Sequence, residues 1–323
     1  MVKRVGMFVA VLLTLINVAL AQPPAPPAGS PGERLRNEGD IPGAIAEFMK
    51  AYDRDPKDQK NAYNLTRALS INRQFDKCFR FLALAVEMAP SLEPLMEPDL
   101  VPARQDKRWT AFEDGLVAKL QAKSGGAYRD VEYAKALWKM RAWDQAFFLE
   151  VGIAGRKIGM KSSVVEALWT FKFMVQERNQ AELEALVARK GWPRVRDVGP
   201  EAAFGAYLVV MHSQNGAQKV YLADIKKACE AGELPWERYA LIYDRGLFNE
   251  NEPQRYGTHT RYNEVTHKEE LYPLEDESRV DEWRKELGLP PLEDYLKTLG
   301  ITYKPKKQRS DLITNKIGGT GFY

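Results

Sequence analysis

The chain has 323 residues, of which 45% are hydrophobic and 28% charged, an ordinary balance for a globular protein with room for two domains and a core that needs neither disulfides nor metals. Its formal charge of +3 includes Lys3 and Arg4; without them 45 basic residues face 44 acidic ones, so the composition gives no support to a nucleic-acid partner. The two cysteines, Cys78 and Cys229, lack any CxxC or Cys/His spacing, which removes the usual signature of a zinc site and points to two separate buried thiols.

Residues 1–21 read as a secretory signal: Lys3 and Arg4 open it, an apolar run from Val5 to Ile16 follows, and Ala19-Leu20-Ala21 supplies a small-x-small cleavage pattern. The run is short for a membrane span, so contact with a membrane is expected only through an uncleaved signal segment, and the protein is expected to be exported, periplasmic or secreted. Residues 22–31, QPPAPPAGSP, predict an extended proline-rich linker.

From residue 32 to 122 the spacing predicts paired helices. Gly39, Ala44, Phe48, Ala51 and Pro56 are matched by Leu65, Leu69, Cys78, Leu82, Ala85 and Pro90, and Pro56 to Pro90 is 34 positions. Small residues let paired helices approach, large ones fill the groove, and proline stops each second helix. The pattern resembles a short tetratricopeptide-like array, closed by a segment at 98–120 with Trp109, Phe112, Leu116 and Leu120 at helical spacing. The resemblance implies a protein or peptide partner on the inner face, where Lys60, Tyr63, Asn64 and Arg67 would hold an acidic or C-terminal carboxylate group. A solvated face that only packs on its neighbour is the alternative.

After a Gly-rich break at 124–130, a second helical domain is expected over 131–303. Helices are predicted at Glu132 to Glu150, at 162–178 and 180–189, at Pro200 to His212, at Ala217 to Ala231, and from Pro235 to about Glu250. Residues 256–272 alternate as in a small β-hairpin about Asn263-Glu264, and short helices from Asp281 to Leu287 and Leu292 to Leu299 close the domain. The fold class is therefore mostly α: a short array of helical hairpins, then a helical domain with one small hairpin. Residues 304–323 carry five positive charges and one negative, and predict a basic, solvated tail.

Asp144-Gln145, Gly191-Trp192-Pro193, Val198-Gly199, His212, Gln218, Asp244-Arg245, the QRYGT of 254–258 and the LGLPPL of 287–292 together resemble a bacterial family of unknown function over about 132–303. The family implies no known activity. This chain departs from its pattern in having Met211-His212-Ser213 where Gln-His-Ala is usual, His259 where Gln is usual, and no arginine in Ala146-Phe147-Phe148.

Histidine beside aspartate is the common general-base arrangement, and arginine holds carboxylates or phosphates in two-point geometry. His212, Asp244 and Arg245 are the candidate catalytic groups, and Gln218, Gln254, Tyr256, Thr258 and His259 the candidate ligand-binding groups. A salt bridge and backbone-satisfying hydrogen bonds are the structural alternative for the same residues. His259 and His267 lack a completing carboxylate, so no metal is expected, and the absence of GxSxG, Walker, GxGxxG and HExxH patterns leaves no cofactor to predict. Two functions stay open: an interaction scaffold, or a hydrolase or transferase acting on a polar envelope substrate. If the signal is processed as its pattern predicts, N-terminal sequencing of the exported protein begins at Gln22; a full-length chain confined to the membrane fraction would refute that expectation.

Overall fold

The computed structural model describes residues 29–263, 266 and 268–303; the signal segment and the basic tail lie outside the described residues. The fold is mostly helical with one two-stranded antiparallel sheet, as the sequence predicts. Two compact units divide the chain, one spanning Ala25–Gln214 and the other beginning at Asn215.

The first unit opens with α1 (Pro31–Glu38), α2 (Ile41–Arg54), α3 (Gln59–Ile71) and α4 (Phe75–Met88). Pro31, expected at the end of the linker, is instead the first residue of α1. That position needs no amide hydrogen, and Ser30 and Glu33 close a reciprocal cap with Glu33 N donating at 3.3 Å and Ser30 N at 2.8 Å. Asp40 and Asp58 cap α2 and α3 through Gly43 N and Lys60 N. Of the predicted small and large positions, Ala44, Phe48, Leu65, Leu69, Cys78, Leu82 and Ala85 are buried where α1 to α4 pack in sequence, and Ala51 is half-buried. Burial pushes the Cys78 thiol up to about 12, that of a buried, inert group.

Then come α5 (Glu93–Met96), two 3₁₀ turns at Pro98–Leu100 and Ala103–Gln105, α6 (Trp109–Ser124), α7 (Val131–Gln145), α8 (Phe148–Ile158), α9 (Ser163–Lys190), α10 (Val195–Val198) and α11 (Pro200–His212). Two boundaries differ from the periodicity. The helix expected over Glu132 to Glu150 is broken at Ala146 and Phe147, where Phe147 turns left-handed at φ 71°. The break has a chemical partner: the buried Lys172 ammonium on α9 donates to the carbonyl oxygens of Asp144 at 3.1 Å and Ala146 at 2.8 Å, acceptors that the end of α7 leaves without helical donors. The two helices expected either side of residue 179 are one continuous helix, α9. No glycine or proline interrupts it, and Asn179, which resembles a turn residue, is buried with its amide donating to Met140 O of α7 at 3.1 Å.

In the second unit, the predicted helix over Ala217 to Ala231 is two, α12 (Ala217–Val220) and α13 (Leu222–Glu230), parted at Tyr221 (φ −97°, ψ 5°). Both pack on α14 (Trp236–Asn249). The hairpin is β1 (Thr260–Asn263) with β2 (Lys268–Leu271), registered Thr260 to Leu271 and Asn263 to Lys268; α15 (Val280–Glu286) and α16 (Leu292–Thr298) follow. Ala240, Tyr256, Trp283 and Leu289 form one buried cluster here, and Val280, Leu292 and Leu296 another.

Within the first unit α7 and α11 pack against each other, and at Gly205 an added Cβ would stand 2.9 Å from the Leu137 carbonyl oxygen. Backbone on both sides leaves little to give. Gly205→Ala should therefore lose stability on chemical denaturation by about 1–3 kcal/mol, although in an open helix the same change gains about 1 kcal/mol; a gain would show that the two helices can separate freely.

Candidate functional site

The crossing of α7 and α11 brings two side chains 68 residues apart into contact. Asp144 lies in the last turn of α7 and is 1% exposed; His212 ends α11 and keeps about a quarter of its side chain exposed, at 24%. The imidazole Nδ1 stands 2.9 Å from one carboxylate oxygen and 2.8 Å from the other. An ionised carboxylate offers only acceptors, so Nδ1 carries the hydrogen and Nε2 keeps its basic lone pair. Gln145 Nε2 donates to Asp144 Oδ2 at 2.6 Å, a second fixed donor on the same group.

The Phe148 ring lies edge-on to His212, with centroids 6.3 Å apart, and meets Trp169 of α9 in the same manner at 6.1 Å. The ammonium of Lys172, 3.5 Å above the Phe148 ring centroid, is 2% exposed, and burial lowers its pKa to about 8 against the opposing pull of Asp144 and Glu150. Burial also raises the Glu150 carboxyl pKa, and Asp99 adds to that rise. A histidine oriented by a buried aspartate, with a buried amine near the same carboxylate, is an arrangement that can take and return a proton. Asp144 was legible only as part of the Asp-Gln motif, and nothing in the sequence singled out Lys172 or Glu150.

The other candidates lie in the second unit, and their roles there are visible in their bonds. Asp244 on α14 is fully buried, and its carboxylate accepts from Arg255 N (2.9 Å), Tyr256 N (3.0 Å), Thr258 N (3.1 Å) and Thr258 Oγ1 (2.9 Å). Burial raises its pKa, and those backbone donors pull it back. Gln254, also fully buried, donates through Nε2 to His259 O and Tyr272 O, both at 2.9 Å, and accepts from His259 N at 2.8 Å. Gly257 is left-handed at φ 70°, and a Cβ there would meet Leu292 Cδ1 at 2.6 Å, so the turn needs glycine on both counts. Arg284 Nη1 donates to Tyr256 O at 2.6 Å.

Thr258 Oγ1 gives its hydrogen to Asp244, so it accepts from His259 Nδ1, 2.9 Å away. His259 stacks on Phe248 at 5.4 Å, and burial, then the charge of Arg245, hold its pKa well below the ordinary histidine value, so the ring is neutral. Arg245 itself is 8% exposed, with its guanidinium carbon 5.7 Å from the Phe248 ring centroid. Gln218 is buried on α12 and accepts from Asn249 Nδ2 at 3.4 Å. The structure thus gathers Asp244, Gln254, Tyr256, Thr258 and His259 into one turn, and pairs His212 with Asp144 rather than Asp244. His267 lies outside the described residues, and among the described residues no group of three His, Cys, Asp or Glu side chains could hold a metal ion.

On the N-terminal helices, Lys60 is exposed, but Tyr63 and Asn64 are 5% and 7% exposed. Arg67 is engaged by the chain's own acids, its Nε 3.0 Å from Asp99 and 3.2 Å from Glu97, and Arg36 pairs with the same Asp99.

Residues 132–308, more than half the chain, match the family of unknown function DUF6624, and the chain belongs to that family. No curated protein and no solved structure matches it. Asp144, Lys172, His212 and the whole Asp244 turn lie inside the matched stretch; Lys60, Tyr63, Asn64 and Arg67 precede it.

Removing one acceptor oxygen from Asp244 leaves an amide –NH₂ facing backbone N–H donors. Asp244→Asn should lower stability by about 3 kcal/mol or more, the scale of losing hydrogen bonds to a buried charge, with faster hydrogen exchange at the Tyr256 and Thr258 amides. A change under about 0.5 kcal/mol would show that the turn does not rest on this carboxylate.

Proposed function

We propose that the chain is an exported hydrolase or transferase acting on a polar envelope substrate, with His212 as general base and Asp144 as the group that orients it. The observation that carries this reading is the placement of His212: Nδ1 against both oxygens of a buried carboxylate, part of the ring open to solvent. The buried carboxylate fixes the tautomer and stabilises the imidazolium formed when Nε2 takes a proton from a hydroxyl or water. With its pKa lowered by burial to about 8, Lys172 is still mostly protonated at neutral pH and places positive charge near Asp144. Export rests on the sequence of residues 1–21 alone.

In this reading the N-terminal helices are a tetratricopeptide-like module with a supporting role. The interaction-scaffold function is the lesser one, because the arginine expected to receive a partner's carboxylate, Arg67, already holds Asp99 and Glu97. A peptide would have to displace two internal acids to reach it.

Activity is best sought with ester, amide and phosphodiester probes and with solubilised wall fragments. The wild-type protein should turn over one of these classes. His212→Gln should cut that rate by roughly 10²–10⁴-fold with little change in melting temperature, and Asp144→Asn should lower it as well. No turnover of any class, or equal turnover by His212→Gln, overturns the proposal.

A further inference from the structure

Helix α9 is apolar on two sides. One face, with Val165, Trp169, Val175, Leu183 and Leu186, is buried within its own unit. On the other, Val164, Ala167, Phe171 and Met174 are exposed at spacings of three, four and three residues, with Val164 at 49%, Phe171 at 42% and Met174 at 61%. The same seven-residue repeat continues through Arg178 to Ala181, Ala185 and Ala188, all exposed. Eight positions in heptad register, seven of them apolar, make the seam of a two-stranded coiled coil.

We propose that this seam pairs with the same seam of a second copy of the chain, the two α9 helices running antiparallel about an axis near Gln176. Three features of the seam select a second copy in that orientation. Its large residues fall in the first half and its alanines in the second, so an antiparallel pair sets Phe171 against Ala181, Val164 against Ala188, and Ala167 against Ala185. Every large side chain then meets a small one, whereas a parallel pair would stack Phe171 on Phe171 and leave facing alanines apart. At the centre, Arg178 meets Met174 of the other copy, where its stem can cover the thioether, and lies within about a turn of that copy's Glu177. A parallel pair would bury Arg178 against Arg178.

Size sets the strength. The seam from Val164 to Ala188 runs about 36 Å at 1.5 Å per residue and about 10 Å wide, roughly 360 Å² of footprint per copy. That is in the range of the largest apolar patches on monomers, about 300–600 Å². Doubled, it falls below the roughly 1,200 Å² of a standard stable interface. The pair is therefore a reversible, concentration-dependent dimer.

Sedimentation velocity on the chain beginning at Gln22, from dilute to concentrated, should show a monomer–dimer equilibrium. The double variant Ala181→Glu, Ala185→Glu changes only exposed alanines that face Phe171 and Ala167 of the other copy, so it should keep its helical spectrum and melting temperature while dimerising at least about tenfold more weakly. Orientation is read with Ala167→Cys and Ala185→Cys chains oxidised separately and then mixed; the native Cys78 and Cys229 are buried and do not compete. Disulfide-linked dimers should form in the mixture and not in either variant alone. A wild-type chain that stays monomeric, a dimer that survives the double glutamate variant, or cross-linking within either single variant overturns the proposal.

Discussion

A carboxylate taken out of water must be met by donors, and the two most deeply buried aspartates among the described residues, Asp144 and Asp244, organise the two compact units around that demand. Asp144 is met by an imidazole from the end of α11 and by its neighbour Gln145, so the last turn of α7 fixes where α11 ends. Asp244 is met by three backbone amides and one hydroxyl of a single turn, which fixes the path of the chain from Arg255 to Thr258. Arg284 and Gln254 then complete the same turn from its other sides, donating to the carbonyl oxygens of Tyr256, His259 and Tyr272.

Lys172 shows how much the fold concentrates at the first of these points. A fall in its pKa from 10.5 to about 8 corresponds to about 3 kcal/mol against keeping the buried amine charged. That figure is what remains after Asp144 and Glu150 have pulled the other way, while two carbonyl oxygens hold the ammonium in place. The amine also ends α7 and allows the left-handed step at Phe147, so one side chain both shapes the backbone beside the His–Asp pair and balances its charge.

Helix type and most boundaries were legible because they follow from local signals: proline at the first helical position of α11, a period of 3.6 residues, and alternation in the hairpin; the start of α1 was not, because Ser30 and Pro31 read as linker. What periodicity could not show were boundaries set by distant partners. The break at Ala146 depends on an amine from α9, and the continuity of α9 through Asn179 depends on a carbonyl of α7. The site follows the same division. The residues of the Asp244 turn are near one another in the chain, with Arg245 and Arg255 only ten positions apart. The pairing of His212 with Asp144 spans 68 residues, and no local pattern carries it.

The two aspartates also differ in what their partners can do. Backbone amides and a threonine hydroxyl around Asp244 do not ionise near neutral pH, and the histidine beside them, His259, is 2% exposed and held neutral by burial and by Arg245. That chemistry holds a turn. His212 is 24% exposed and has its Nδ1 held by a buried carboxylate. Equal burial of the two carboxylates therefore does not imply equal roles: the difference lies in whether the group they hold can change its charge while remaining in place. By that criterion the proposed reaction belongs at the end of α11 rather than at the turn richest in signature residues.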